Sequence, residues 1–309
     1  MRIGRSATVS DTGRRRLHNE DAFVCQPPLF AIADGMGGAQ AGEIASRLAT
    51  NALEQHGGAT GEDAVAHLVQ AANASVYRHA AADPAAAGMG TTTTVLLVDA
   101  AAGTIAVGHV GDSRAYRIRG EQLEQLTRDH SLVQELVDSG RLTPDEAIGH
   151  PHRSVITRAV GTEPSVDVDT FTVELAVGDL YLLCSDGLTD MVGDDVILAR
   201  ALAAGREPEV VARALVDEAN RAGGDDNITV IAFEIEAGEP PAAAEAPPVL
   251  VPDAPTAENA AAEQPTGQTA AAGRVRRHGA GAGGRAFALA AIVLALAAAA
   301  LLIWWSLGR

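Results

Sequence analysis

LFAIADGMGG, residues 29–38, runs five apolar residues into an aspartate and then a glycine-rich turn. An apolar run of that length bounded by glycine reads as a buried strand. The strand fixes the Asp34 carboxylate, while Gly35 lets the backbone turn and leaves its carbonyl open to a ligand. A lone Asp-Gly is a plain turn, but the arrangement recurs along the chain. Gly111-Asp112-Ser113-Arg114 follows TIAVGHV, and Ser185-Asp186-Gly187 follows LYLLC. Asp225-Asp226-Asn227 precedes ITVIAFEI, and Asn19-Glu20-Asp21 stands shortly before the first strand. Five acidic clusters at strand edges, spaced too widely for a calcium loop, point to a shared divalent-cation site. Hard carboxylate oxygens suit magnesium or manganese, with water completing the shell. Two such ions bridged by one carboxylate lower the pKa of a water held between them, which makes a nucleophile for a phosphoryl group. Phosphate binding then calls for the planar fork of an arginine, and Arg14, Arg15 and Arg16 stand just before Asn19.

Outward from this segment, strand-like runs fall at 23–33, 91–99, 104–110, 115–119, 168–175, 180–184 and 228–235. Short glycine turns such as Ala102-Gly103 join several of them, which predicts antiparallel hairpins. Two long helical stretches separate the first two runs. In the second, Val65, Leu68, Val69, Ala72 and Val76 share one stripe at helical spacing. Further helices are predicted at 131–139, 194–204 and 208–221. Hairpins with helices packed outside give an α+β layered domain.

The composition sets the limits of that domain. Residues 1–236 carry 35 Asp and Glu against 18 Arg, so the whole net charge of −17 lies there, and the chain has no lysine. So acidic a domain is a poor fit to nucleic acid, because phosphate backbones require basic surface, and no nucleic-acid partner is expected. Cys25 and Cys184 form no disulfide framework or zinc spacing and are expected as buried reduced thiols. The opening MRIGRSATVSD has no apolar signal segment, so the domain is not expected to be secreted.

Residues 237–285 form an Ala/Pro/Gly-rich linker whose composition cannot bury enough apolar area to fold. Residues 286–307 then run 22 positions without a charge. As a helix they would span about 33 Å, against a hydrocarbon core of roughly 30 Å. Trp304 and Trp305 fall near its end, where indoles prefer the interface. Arg274, Arg276, Arg277 and Arg285 precede it and only Arg309 follows. The expectation is a single-pass cell-membrane protein, anchored by one C-terminal transmembrane helix, with its catalytic domain in the cytoplasm.

The set Arg16-x-x-Asn19-Glu20-Asp21, Asp34-Gly35-x-Gly37-Gly38, Gly90-Thr91-Thr92, Gly111-Asp112-Ser113-Arg114, Ser185-Asp186-Gly187 and Asp226-Asn227 resembles the metal-dependent serine/threonine protein phosphatases, the PPM or type 2C family. LTRDHSLV at 126–133 and HPHRSVITRAVG at 150–161 resemble its bacterial branch, and the likeness runs over about residues 5–236. The resemblance implies two antiparallel sheets packed face to face, flanked by helices. It implies that Asp34 bridges two catalytic Mn2+ or Mg2+ ions. The Gly35 carbonyl and, through water, Glu20 or Asp21 would serve one ion, and Asp186 and Asp226 the other. Asp112, with Asp190 or Asp186, would hold a weaker third ion. Arg16 would bind substrate phosphate, and residues 143–158 would form a mobile flap.

The implied reaction is hydrolysis of phosphoserine and phosphothreonine in proteins, opposing Ser/Thr kinases and acting on their substrates. Where some members carry a histidine general acid this chain has Met36, which leaves a metal-bound water as donor. His18, His109, His130, His150 and His152 show no paired zinc spacing. Residues 91–94 read as β-branched strand packing, and Arg14 and Arg15 as solvated surface. A non-catalytic phosphoprotein-binding module would have lost the metal aspartates, and none is lost. Hydrolysis of small phosphate metabolites is disfavoured only by the resemblance.

Overall fold

The computed structural model describes residues 1–37, 41–55 and 57–238. In chain order the elements are β1 (Arg2–Asp11), β2 (Asp21–Gln26), β3 (Leu29–Met36), α1 (Ala41–Leu53), α2 (Glu62–Ala82), β4 (Gly90–Thr91), β5 (Thr93–Asp99), β6 (Thr104–Val110), β7 (Arg114–Arg119), β8 (Gln122–Gln125), α3 (Leu132–Asp138), α4 (Pro144–Ile148), β9 (Asp169–Glu174), β10 (Leu180–Cys184), α5 (Asp186–Thr189), α6 (Asp194–Ala203), α7 (Pro208–Ala222) and β11 (Ile228–Glu236). One sheet runs β1-β11-β10-β7-β8 and the other β2-β3-β5-β6-β9, with β4 beside β3 and every pairing antiparallel.

The apolar run 29–33 shows how the layers form. Alternate residues of a strand point to opposite faces. Phe30 and Ile32 enter the space between the sheets, where Phe30 stacks on Phe233 of β11 with ring centroids 3.9 Å apart. Leu29, Ala31 and Ala33 face the other way, into a cluster that includes Ala45, Ala49 and Leu53 of α1 and Val65, Val69 and Val76 of α2. Outside the other sheet, Val211, Leu215 and Ala219 of α7 and Ile197 of α6 pack on Leu182, Val230 and Ala232. The result is helix, sheet, sheet, helix, with both faces of the central strands buried. All five residues of the α2 stripe predicted above are buried.

Four expectations need correction. Run 23–33 is two strands: Gln26 pairs with Leu29 across a Pro27-Pro28 turn, because proline offers no N–H to a ladder. Run 91–99 is likewise divided, into β4 and β5. Two strands, β1 and β8, carried no strand signal. Both lie at sheet edges, where exposed Arg, Ser, Gln and Glu blur the alternation, and β1 also shifts register between Ile3 and Ser6. Cys184 is buried as expected, Cys25 only partly, and both are free thiols.

Among the described residues no helix is long and apolar enough to cross a membrane. The expected span at 286–307, nearly all of the linker, and Gly38 lie outside the described residues.

Candidate metal and phosphate site

Antiparallel pairing brings the acidic clusters to one edge of the sandwich. Asp34, near the end of β3, is the cross-strand partner of Asp21 at the start of β2. Cys184 at the end of β10 pairs with Val230, which puts the following Asp186 near Asp226, just ahead of β11. Val110 at the end of β6 pairs with Thr93, so Asp112 emerges on the same side. There Arg16, Glu20, Asp34, Gly35, Asp112, Asp186 and Asp226 line a cleft of about 290 Å3, with Ser154 and Ile156 of the expected flap on its wall.

Two predicted residues stand back from that wall. Asp21 accepts hydrogen bonds through Oδ2 from Ser185 Oγ (2.9 Å) and Thr229 Oγ1 (2.6 Å). Asp190 is paired with Arg153, Nε to Oδ2 3.2 Å, on the flap segment. Arg16 Nη2 lies 2.6 Å from Asp226 Oδ2, and Arg15 pairs with Asp225 at 2.8 Å while its side chain stays largely exposed.

The electrostatics of the cleft are those of crowded like charges. Burial, reinforced by Asp21, Asp186 and Asp112, pushes Asp34 well above the usual carboxylate range. Burial and then Asp112, Asp190 and Asp226 do the same to Asp186. Asp112 is pushed up to about 7 by burial and the nearby Asp129. Asp21 rises to about 6 through burial, although the two hydroxyl donors oppose the shift. Asp21 Oδ1 and Asp186 Oδ1 are shut off from solvent without a protein hydrogen-bond partner. Orphaned carboxylate oxygens among mutually repelling acids fit divalent cations, which satisfy both the lone pairs and the charge. Among the described residues no group of three His, Cys, Asp or Glu is arranged to hold a metal by itself.

The backbone supporting these carboxylates carries contacts that the sequence did not disclose. Thr92 Oγ1 accepts from the Asp34 amide (2.9 Å), and Thr91 Oγ1 donates to the Asp34 carbonyl (2.7 Å). The threonines read as strand packing therefore hold Asp34 in place. Asn227 accepts from the Glu20 amide at 2.8 Å and donates to the carbonyls of Thr12 (3.0 Å) and His18 (2.9 Å). It thus brackets the loop that carries Arg16. A Cβ on Gly35 would lie 2.1 Å from the Gly42 carbonyl oxygen and 2.7 Å from that of Glu20, so three chain segments meet where only glycine fits. Gly42 had no signal of its own, because its need is set by that distant approach.

A two-sheet α+β sandwich with helices outside and an acidic, arginine-bearing cleft at one edge defines the class of metal-dependent phosphatase folds. The chain belongs to the Protein phosphatase 2C family, whose model matches residues 12–217. It is 44% identical over 237 residues to the serine/threonine protein phosphatase PstP of Mycobacterium tuberculosis, covering 75% of this chain and 45% of that protein. It therefore spans about half the length of that relative. It is 37% identical over 238 residues to the serine/threonine phosphatase stp of Listeria innocua, covering 73% of this chain and 93% of the relative. The crystal structure of the catalytic domain of a serine/threonine protein phosphatase PstP, in complex with two manganese ions, superposes with TM-score 0.69 at 38% identity, covering 76% of this chain and 99% of that one.

Proposed function

We propose that this chain hydrolyses phosphoserine and phosphothreonine in proteins with two Mn2+ or Mg2+ ions, acting against Ser/Thr kinases at the cytoplasmic face of a cell membrane. The observation that carries the reading is the convergence of Asp34, Asp112, Asp186 and Asp226 with Arg16 on one small cleft. Its volume lies at the lower end for small-molecule pockets, which suits a phosphoryl group presented by a larger partner.

Asp34 would be shared between the two ions. The Gly35 carbonyl and, through water, Glu20 or Asp21 would complete one ligand set, Asp186 and Asp226 the other, and Asp112 with Asp190 or Asp186 a weaker third. Bound cations would neutralise the carboxylates, activate a water for attack on phosphorus and draw charge from the phosphoryl oxygens. Arg16 binds and orients the phosphate through its guanidinium fork, giving up its pairing with Asp226 or sharing it. Met36 lines the cleft and carries no acidic proton, so the departing seryl or threonyl oxygen takes its proton from water. Membrane attachment is assigned to residues 286–307 from their length and lack of charge.

The test is release of phosphate from a phosphothreonine peptide with manganese and then with chelator. Turnover that survives chelation, or its absence at saturating manganese, would reject the reading.

A further inference from the structure

His130 lies outside the set of residues assigned above, yet it touches both the turn that carries Asp112 and the flap. Its Nδ1 accepts a hydrogen bond from the Gly111 amide at 3.0 Å, and its own amide donates to the Gly111 carbonyl at 2.7 Å. Gly111 has φ +109° and sits against Thr92, so this turn is open only to glycine and its amide direction is fixed. On the other side, the Thr157 amide donates to the His130 carbonyl at 2.8 Å, and Leu132 N donates to the Val155 carbonyl at 2.8 Å. Ile156, between those two contacts, lines the cleft.

The ring is also held from outside. Because Nδ1 accepts, the neutral ring carries its proton on Nε2, which lies 3.2 Å from Asp169 Oδ2 and 3.0 Å from Arg158 Nη1. Arg158 donates to the other oxygen of Asp169 at 2.6 Å. The buried His109 ring lies 4.8 Å away, centroid to centroid. Burial lowers the pKa of His130, in keeping with a neutral imidazole.

We infer that His130 is a positioning residue for the metal site: Nδ1 on the Gly111 amide sets the Asp112 turn, and Nε2 on Asp169 with the backbone bond to Thr157 registers the 155–158 segment over the cleft. Asp129, its neighbour, grips the far side of the same turn through a bidentate pair with Arg114 (2.9 and 2.7 Å). The dipeptide therefore clamps Asp112 from both flanks. Residues behind metal ligands typically change metal affinity about 10- to 100-fold.

The inference rests on reading the cleft as a cation site, and its test separates the two. Mn2+ binding to the full chain is measured by calorimetry for wild type, His130→Ala, His130→Asn and His130→Gln, together with hydrogen exchange at the Gly111 amide in chelator. Asparagine keeps an acceptor near the Nδ1 position; glutamine keeps a donor near Nε2. Expected are a loss of about tenfold or more in affinity for at least one ion in His130→Ala and faster Gly111 exchange. His130→Asn restores affinity to within about threefold, and His130→Gln does not. Wild-type affinity and Gly111 protection in His130→Ala would overturn the role. Equal impairment in the asparagine and glutamine variants would overturn it too, including where the alanine variant fails to fold. A wild-type chain that binds no Mn2+ would instead sink the metal reading itself.

Discussion

Asp21 and Asp34 sit directly opposite each other on neighbouring antiparallel strands, an arrangement in which like charges destabilise a sheet. The proposed cation site would account for keeping both, since bound cations would offset the repulsion. Asp34→Asn removes one buried charge and should raise the melting temperature in chelator, by about 2–4 °C for each kcal/mol of repulsion relieved. The same variant should lose the stabilisation that manganese gives wild type and about a hundredfold or more in turnover, ~2.7 kcal/mol. Thermal melts with and without metal, beside peptide assays, check all three; an unchanged metal-induced shift would remove Asp34 from the ligand set. Asn227 offers a second test. Arg16→Ala should mainly raise KM for phosphopeptides, and Asn227→Ala should do so by loosening the loop that carries Arg16. In the double variant the Asn227 change should then cost little more, a non-additivity a kinetic cycle measures; full additivity would mean that Asn227 acts elsewhere. The aspartates were legible in sequence because strand, acid and glycine are contiguous there. Thr91, Thr92, Asn227 and His130 stand in the motifs that carry the resemblance, but their contacts were not legible, since each acts through partners far along the chain. His130 touches residues 111, 157 and 169, a set that no local pattern brings together.

The elements buried on both faces, β3, β5, β6, β10 and β11, were readable as apolar runs, although Pro27-Pro28 hid a hairpin inside one of them. The edge strands β1 and β8 were not, because a strand with one half-solvated face needs clean alternation to be seen. At the end of the sandwich away from the cleft, one polar contact joins β7 to the start of β10. Asp179, 1% exposed in its side chain, takes both prongs of Arg119 (Nε 2.8 Å, Nη2 2.7 Å) and the Ala176 amide (2.8 Å). Burial by itself would raise the pKa of Asp179, but the Arg119 fork and the amide outweigh it and hold the carboxyl below its usual range. The sign follows: a depressed folded-state pKa stabilises the fold above the ordinary Asp value, and the contribution is lost as pH falls through the depressed value. Asp179→Asn should cost about 2–3 kcal/mol at neutral pH, below the figure for fully buried pairs because Arg119 is nearly half exposed. That is about 5–10 °C in melting temperature, and the gap to wild type should narrow below about pH 3–4. Turnover and manganese affinity should not change, since the contact lies at the opposite edge. Equal melting temperatures at neutral pH would show the pair to be neutral in net effect.

At the scale of the whole molecule, the catalytic unit and the proposed anchor place opposite demands on the chain. The unit carries all of the net negative charge, and among the described residues the buried members of its three apolar clusters lie within residues 24–235. Its last strand, β11, lies between β1 and β10 in its sheet and ends at Glu236, where Glu236 and Arg2 form an ion pair. Among the described residues, no buried member of these clusters lies beyond β11. A chain ended near Pro240 should fold, melt like the parent domain and turn over phosphopeptide at a near wild-type rate. The uncharged stretch 286–307 is long enough to span a bilayer, with four arginines on its N-terminal side against one on the other, so the acidic unit should stay on the cytoplasmic side. Full-length protein should accordingly pellet with membranes and resist extraction by salt or carbonate, and the shortened chain should remain in the supernatant. Protease added to intact cells should leave the catalytic unit uncut, whereas the same protease acting on inverted vesicles should release it. Recovery of the full-length protein in the supernatant would reject the anchor, and digestion of the catalytic unit from outside would reject the orientation. The catalytic assay of the shortened chain keeps either failure separate from the phosphatase reading, because it depends only on residues up to β11.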